Sequence, residues 1–583
     1  MKRLMLGNEA VAHGFRDAGG KVASAYPGTP STEITENIAR FDDIYSEWAP
    51  NEKVAAEVAI GASIAGARAM CAMKHVGLNV AADPLFTAAY TGVNGGLLVA
   101  VADDPGMHSS QNEQDSRFYA RSAHIPMLEP SNSQECYDFT REAYELSERF
   151  DTPVFLRLTT RIAHSQSIVQ TRTPESHDIG EYKKDFKKYV MMPGMARARH
   201  IVVEKRDNAL CEFAEKSPLN RIEMNDKSVG IITSGISYCY AKEAFPQASF
   251  LKLGLVYPLP TQKIADFAAM VDTLIVIEEL EPYIEDHVKK LGLKALGKER
   301  LTLQGELSPS VLKKQFADII KTEKPAESIV VKLESSVPQR PPVMCPGCPH
   351  RGAFYVLKKL GLVVSGDIGC YTLGALPPSE AMDACVCMGA SIGMAHGMEK
   401  ARGGDFAKKT VAVLGDSTFI HSGITGLINV VYNKGVSTVI IFDNSITGMT
   451  GHQQNPTTGL TIKGEPTAQV DIVKLCEAVG VKRVRVCDPF DIKAFEQAVR
   501  EETAAEEPSV IISQRPCALL KSVKYGAPYA INDKCKRCGS CLKLGCPAIV
   551  KRENGAVEIN ASLCCGCGLC TRLCAFDAIT RQI

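Results

Sequence analysis

Two cysteine runs constrain this chain more than any other feature: Cys535-x2-Cys538-x2-Cys541-x4-Cys546-Pro547 and Cys564-x2-Cys567-x2-Cys570-x3-Cys574. Three cysteines at x2 spacing, twice over, suit thiolates that hold paired [4Fe-4S] clusters, and in such pairs the fourth cysteine of each run ligates the other cluster. The expected ligand sets are therefore Cys535, Cys538, Cys541 and Cys574 for one cluster, and Cys546, Cys564, Cys567 and Cys570 for the second. A pair of structural zinc sites is the competing reading. Zinc usually draws four ligands from two separated Cys-x2-Cys knuckles, which neither the triple spacing nor Pro547 resembles. The first run departs from the usual spacing before Cys546, and Ala575 stands where a second proline is expected. Cys565, beside a ligand, reads as spare. A chain that holds two such clusters passes electrons one at a time.

The rest of the composition narrows the class. At 583 residues the chain has room for roughly three to five domains. Lys+Arg and Asp+Glu are both 66, and no basic stripe with interleaved aromatics appears, so nucleic acid is not an expected partner. The opening MKRLMLGNEAVAHGF lacks an apolar core and a small-residue cleavage site, and no run of about eighteen apolar residues occurs. The expectation is a soluble cytoplasmic protein with no membrane contact. Twelve of the 21 cysteines lie outside the two runs, scattered through a long chain, which fits reduced thiols in an anaerobic setting better than disulfides.

Short apolar runs alternate with helical stretches: Leu97–Ala102, Val154–Leu158, Val229–Thr233, Leu274–Ile277, Val411–Leu414, Thr438–Phe442 and Val510–Ile512. That rhythm predicts parallel sheets flanked by helices. Pro338-Gln-Arg-Pro-Pro342 reads as a linker, Lys524-Tyr-Gly-Ala-Pro528 as the seam before the cysteine-rich tail, and Arg172–Lys227 as a weaker seam. The expected fold is three doubly wound α/β domains, 1–195, 196–337 and 338–525, followed by a small α+β domain at 526–583. In the middle one, Glu278 and Glu279 read as a solvated strand end.

Gly415-Asp416-Ser417 follows the strand at Val411–Leu414, and Asp443-Asn444 follows the strand at Thr438–Phe442. Two strand ends thus present oxygen ligands at the carboxyl edge of one sheet, where open α/β folds bind ligands. A hard cation such as Mg²⁺ carrying a diphosphate needs such a carboxylate and amide. Turn formation is the bland alternative for Asp and Asn at strand ends. Thr447-Gly448-Met449-Thr450-Gly451 adds backbone N–H groups able to wrap a diphosphate. No G-x-G-x-x-G opens a βαβ unit and no P-loop lysine occurs, so a nicotinamide or ATP site is unsupported.

These residues resemble the thiamine diphosphate motif, and the Thr447–Gly451 loop that of 2-oxoacid:ferredoxin oxidoreductases. Tyr26-Pro-Gly-Thr-Pro-Ser31, Ala102–Arg117 and Cys345-Pro-Gly-Cys-Pro-His-Arg351 are further matches, and the resemblance covers nearly the whole chain. It implies a pyrimidine-binding domain at 1–195, a middle transketolase-C-like domain, a Mg²⁺–thiamine diphosphate domain at 338–525 and a two-cluster ferredoxin-like tail. Asp416, Asn444 and the Ile446 carbonyl would ligate Mg²⁺, with Gly415, Ser417, Thr447, Gly448 and Met449 about the cofactor. Glu57 would serve the aminopyrimidine, buried among small apolar residues that raise its pKa. His75 and His421 would handle protons, and Arg117 would hold the substrate carboxylate; each has a structural alternative. Cys345, Cys348, Cys370 and Cys517 stand in the order in which the pyruvate enzymes hold a cluster near thiamine, with buried unreactive thiols as the alternative. Cys385 and Cys387 read as core. The implied activity is oxidative decarboxylation of an arylpyruvate such as indolepyruvate to an acyl-CoA, with ferredoxin as acceptor and a smaller beta subunit completing a dimer of heterodimers. The same chemistry on another 2-oxoacid and non-oxidative decarboxylation are the alternatives.

Overall fold

A computed structural model describes residues 2–174, 177–320 and 341–582. The chain divides into two compact units, Met1–Lys332 and Leu333–Ile583. The 337/338 boundary and residues 338–340 of the expected linker lie outside the described residues.

The first unit is built on a seven-stranded sheet, ordered Leu255–Tyr257, Met127–Leu128, Val154–Thr159, Leu97–Asp103, Ala69–Lys74, Val22–Ala25, Tyr45–Trp48. All its pairings are parallel except that of Leu255–Tyr257 with Met127–Leu128. Its central strands are buried along their length because helices cover both faces. The two-residue period sorts the side chains. Cys71, Met73, Val99 and Val101 face the core shared with the helices Glu52–Ile64 and His75–Thr91. Met70, Ala72, Leu98 and Ala100 face that shared with Gly7–Asp17 and Ser133–Phe150.

A second sheet in the same unit runs Thr273–Ile277, Asp226–Ser234, Ala248–Leu253, Arg221–Glu223. The strand Leu255–Tyr257 leaves this sheet's chain to cap the edge of the first, and the 195/196 position lies in the first turn of the helix Pro193–Lys216. Glu278 and Glu279 correct an expectation here. Both are buried rather than solvated, because Glu278 accepts from Arg117 at 2.6 Å and from the Ile284 and Glu285 amides, and Glu279 accepts from the Leu307 amide.

The second unit holds a five-stranded, all-parallel sheet ordered Val363–Ser365, Thr410–Gly415, Thr438–Asp443, Ser509–Gln514, Arg483–Cys487. All seven apolar runs named above lie within strands of these three sheets. The cysteine-rich tail forms two antiparallel ribbons, Tyr529–Ile531 with Ile579–Arg581 and Ile549–Lys551 with Val557–Ile559, around short 3₁₀ turns at Ser540–Leu544 and Leu569–Leu573. Its apolar residues Leu544, Ile549, Ile559 and Leu569 join the core under Val411, Val413 and Phe442, so tail and sheet share one interior. Among the described residues no helix is long and apolar enough to cross a membrane.

Candidate functional site

In the second unit the strand Thr410–Gly415 delivers Asp416 to the carboxyl edge, at the start of a helical turn. Asp416 is buried; Oδ1 accepts from the Ser417 amide at 2.6 Å, while Oδ2 is buried with no hydrogen-bond partner among the described residues. Burial, reinforced by the charge of Asp443, pushes its carboxyl up to about 8. A buried carboxylate oxygen left bare is expensive, and a cation would satisfy it. Asn444, on the neighbouring strand end, turns its Oδ1 to the Ile446 amide at 3.3 Å, and Ser445 between them is left-handed at φ 58°. Thr447 and Gln453 exchange backbone bonds of 3.0 and 3.2 Å that close the Thr447–Gly451 loop. The residues present therefore fit Mg²⁺ with a diphosphate. Asp416 and the Asn444–Ile446 turn are brought together; Met449 is exposed on the loop, and His421, buried in the helix that continues from Asp416, meets Ser422 Oγ at 2.9 Å.

Four cysteines gather against this loop. A Cβ on Gly448 would lie 3.4 Å from Cys370 Sγ, and the Cys517 amide donates to the Asn444 carbonyl at 2.9 Å. Beyond the dominant effect of burial, the Cys517 and Cys345 thiols push up that of Cys370, Cys370 and Cys345 push up that of Cys348, and Cys345 pushes up that of Cys517, so the four lie close together. Cys385 and Cys387 depart from the core reading: Cys385 is half-buried and Cys387 exposed, because the stretch 382–389 that leads into the helix Ala390–Arg402 holds no buried residue.

Beyond them the tail encloses two cavities. One is lined by Cys535, Cys538, Cys541 and Cys574. The other is lined by Cys546, Cys564, Cys567 and Cys570, with Cys565 and Gly347 on its wall. Each cavity takes three cysteines of one run and one of the other, the interleaving that paired cubanes require. Cys565 is not idle: its Sγ would stand 2.6 Å from a Cβ on Gly347, whose φ of +74° and crowded surroundings admit only glycine.

The carboxyl edge of the seven-stranded sheet carries a second polar cluster, in the first unit. Asn51 caps the helix Glu52–Ile64 by accepting from the Val54 amide at 2.9 Å, which places Glu52 at the edge. Glu52 is 6% exposed, and its carboxylate seats on Gly77, where a Cβ would come 2.6 Å from Oε1. Lys74, at the end of its strand, donates to the Ser109 carbonyl, and burial brings its ammonium down to about 8 against the pull of Asp104 and Glu52. Gly28 of the Tyr26–Ser31 turn lies against Lys74 Cβ, and His75 Nε2 meets the Asn112 carbonyl at 3.2 Å while Nδ1 has no partner among the described residues.

Two expectations are corrected. The burial expected for Glu57 is absent: its side chain is 44% exposed and ion-paired with Lys53, because it points to the solvent side of the helix, beyond the turn that meets the sheet edge. Glu52 is the buried carboxylate, and a parallel-sheet rule signals it, since helix N-termini lie at the carboxyl edge and later turns do not. Arg117 is no substrate clamp. It is fully buried, with its guanidinium bonded to Asp115, Glu278 and the carbonyls of Glu279 and Glu281.

The family model described as pyruvate flavodoxin/ferredoxin oxidoreductase, thiamine diphosphate-binding, matches residues 13–229. That of the thiamine pyrophosphate enzyme C-terminal TPP-binding domain matches 367–513. The chain is 39% identical to indolepyruvate oxidoreductase subunit IorA of Archaeoglobus fulgidus, covering 99% of this chain and 97% of that protein. It is 39% identical to the IorA of Thermococcus kodakarensis, over 99% of this chain and 96% of that protein. For Methanothermobacter thermautotrophicus IorA the identity is 38%, over 100% and 97%.

Proposed function

The chain belongs to the indolepyruvate oxidoreductase subunit IorA family, and from that premise we propose that it carries out the thiamine-dependent, CoA-dependent oxidative decarboxylation of arylpyruvates, indolepyruvate above all, and passes the electrons to ferredoxin. The observation that carries this reading is the joining, in one compact unit and one shared core, of the Asp416–Asn444 edge to the two cysteine-lined cavities of the tail.

Asp416, Asn444 and the Ile446 carbonyl hold Mg²⁺, and Thr447–Gly451 wraps the diphosphate. Bound thiamine diphosphate supplies the electron sink that decarboxylation of a 2-oxoacid needs. Glu52 takes the role first assigned to Glu57, exchanging a proton with the cofactor's aminopyrimidine, with Lys74 and His75 beside it. Cys535, Cys538, Cys541 and Cys574 hold one [4Fe-4S] cluster, and Cys546, Cys564, Cys567 and Cys570 the other. The gathering of Cys345, Cys348, Cys370 and Cys517 against the diphosphate loop supports a third, nearer to the cofactor. A smaller beta subunit completes the assembly, in the cytoplasm.

The test is anaerobic reconstitution with the beta subunit, thiamine diphosphate, Mg²⁺, CoA and oxidised ferredoxin, comparing indolepyruvate with pyruvate. CoA-dependent ferredoxin reduction that prefers indolepyruvate is the expected result. Preference for pyruvate moves the substrate assignment, and aldehyde release without ferredoxin reduction overturns the reaction. Iron analysis counts clusters: two cubanes give about eight iron atoms per chain and three give about twelve.

A further inference from the structure

Arg351 follows the Cys345–Cys348 turn and opens onto the tail. The residue is 4% exposed, and among the described residues its guanidinium spends its donors on main-chain carbonyls alone: Nε on Cys345 at 3.0 Å, Nη1 on Leu544 at 2.9 Å and Gly545 at 2.6 Å, and Nη2 on Met344. The two most deeply buried guanidiniums of the first unit are balanced differently. Arg117 faces Asp115 and Glu278, and Arg157 faces Asp103 and Glu129. Around Arg351 the groups whose charges favour its cation most are thiols, those of Cys546, Cys348, Cys345 and Cys567. A buried cation without an opposite charge is costly, so this arrangement asks for an anion.

The same side chain lines the cavity formed by Cys546, Cys564, Cys567 and Cys570. A cubane with four thiolates is anionic and gains one more negative charge on reduction, and a fixed nearby cation favours the reduced form; net charge and hydrogen bonding are the levers that set such potentials. Resting on the cluster assignment above, we propose that Arg351 is the buried counter-cation of the cluster held by Cys546, Cys564, Cys567 and Cys570, and that it raises that cluster's reduction potential. It is a positioning and tuning residue: its carbonyl bonds lock the Cys345–Cys348 turn to the 3₁₀ turn of the tail, which fixes the charge on the cavity wall.

The test uses the full chain with its beta subunit, handled anaerobically, as wild type, R351K and R351Q, with iron and sulfide content and a redox titration followed by electron paramagnetic resonance. Cys546→Ser identifies which signal belongs to this cavity. In R351Q this cluster's reduced-to-oxidised ratio at fixed potential should fall by about tenfold or more, about 59 mV for one electron, while the Cys535 cluster stays put and R351K, which keeps the charge, remains close to wild type. Loss of this cluster in R351Q with retention at wild-type potential in R351K also supports the proposal, since the charge is then what holds the anion. Unchanged potential in a fully loaded R351Q, or equal loss of the cluster in both variants, overturns it and leaves Arg351 a mechanical staple. A wild-type chain without two cubane signals overturns the cluster assignment and the proposal together.

Discussion

Glu52 and Glu57 lie on one helix, yet their surroundings are opposite: one carboxylate is pressed on Gly77 at the sheet edge, the other stands in water with Lys53. Glu52→Gln should cost about 10²- to 10⁴-fold in kcat, the usual worth of a positioned proton-transfer group. Glu57→Gln should change turnover by less than about twofold and stability by at most about 1 kcal/mol, because exposed ion pairs contribute little. Indolepyruvate-driven ferredoxin reduction in the two variants decides between them; a severe loss in Glu57→Gln with normal turnover in Glu52→Gln would reverse the assignment. The sequence points to the wrong carboxylate because Glu57 sits in a run of small apolar side chains that suggests burial, whereas Glu52 stands between Asn51 and Lys53, and only the strand preceding the helix tells which turn meets the edge. The place of Asp416 and Asn444 at strand ends is legible because each stands one residue beyond an unbroken apolar run, which fixes a strand end without knowledge of the rest of the fold.

At the scale of elements, the strand Thr273–Ile277 ends in two buried carboxylates, where alternation alone suggests a wet strand end. Their partners, Arg117 and the Leu307 amide, are 161 and 28 residues away, a separation that no local pattern encodes. Burial pushes the Glu279 carboxyl up from its ordinary 4.5 to about 7. Between those values the folded protein binds more protons than the unfolded chain, so this group's contribution to stability is present at low pH and is lost as pH rises through 7. Glu279→Gln should therefore melt close to wild type at pH 5 and higher at pH 8, by a stability difference on the order of 3 kcal/mol. Thermal scans at the two pH values check this, and a variant that melts lower at pH 8 than at pH 5, relative to wild type, contradicts the assigned direction.

Taken whole, the molecule was legible as parallel α/β layers followed by a cysteine-bound tail, since runs, turns and cysteine spacing are local signals. What was not legible is the welding: the strand Leu255–Tyr257 closing the edge of the first sheet, and the tail sharing a core with the diphosphate sheet, both of which depend on contacts between distant segments. Two chemically distinct supports within one unit give separable losses. Removal of Mg²⁺ by a chelator should abolish turnover and release thiamine diphosphate while the iron–sulfur absorbance persists. Brief exposure to air should bleach that absorbance and stop ferredoxin reduction while cofactor binding persists. Parallel absorbance and cofactor-binding measurements test both, and loss of the two together in either treatment would contradict it. The interleaved cysteines also order the birth of the protein. As the chain leaves the ribosome, the cavity of Cys546, Cys564, Cys567 and Cys570 has all four of its thiols once Cys570 has emerged, whereas that of Cys535, Cys538 and Cys541 waits for Cys574, so the first can be completed before the second.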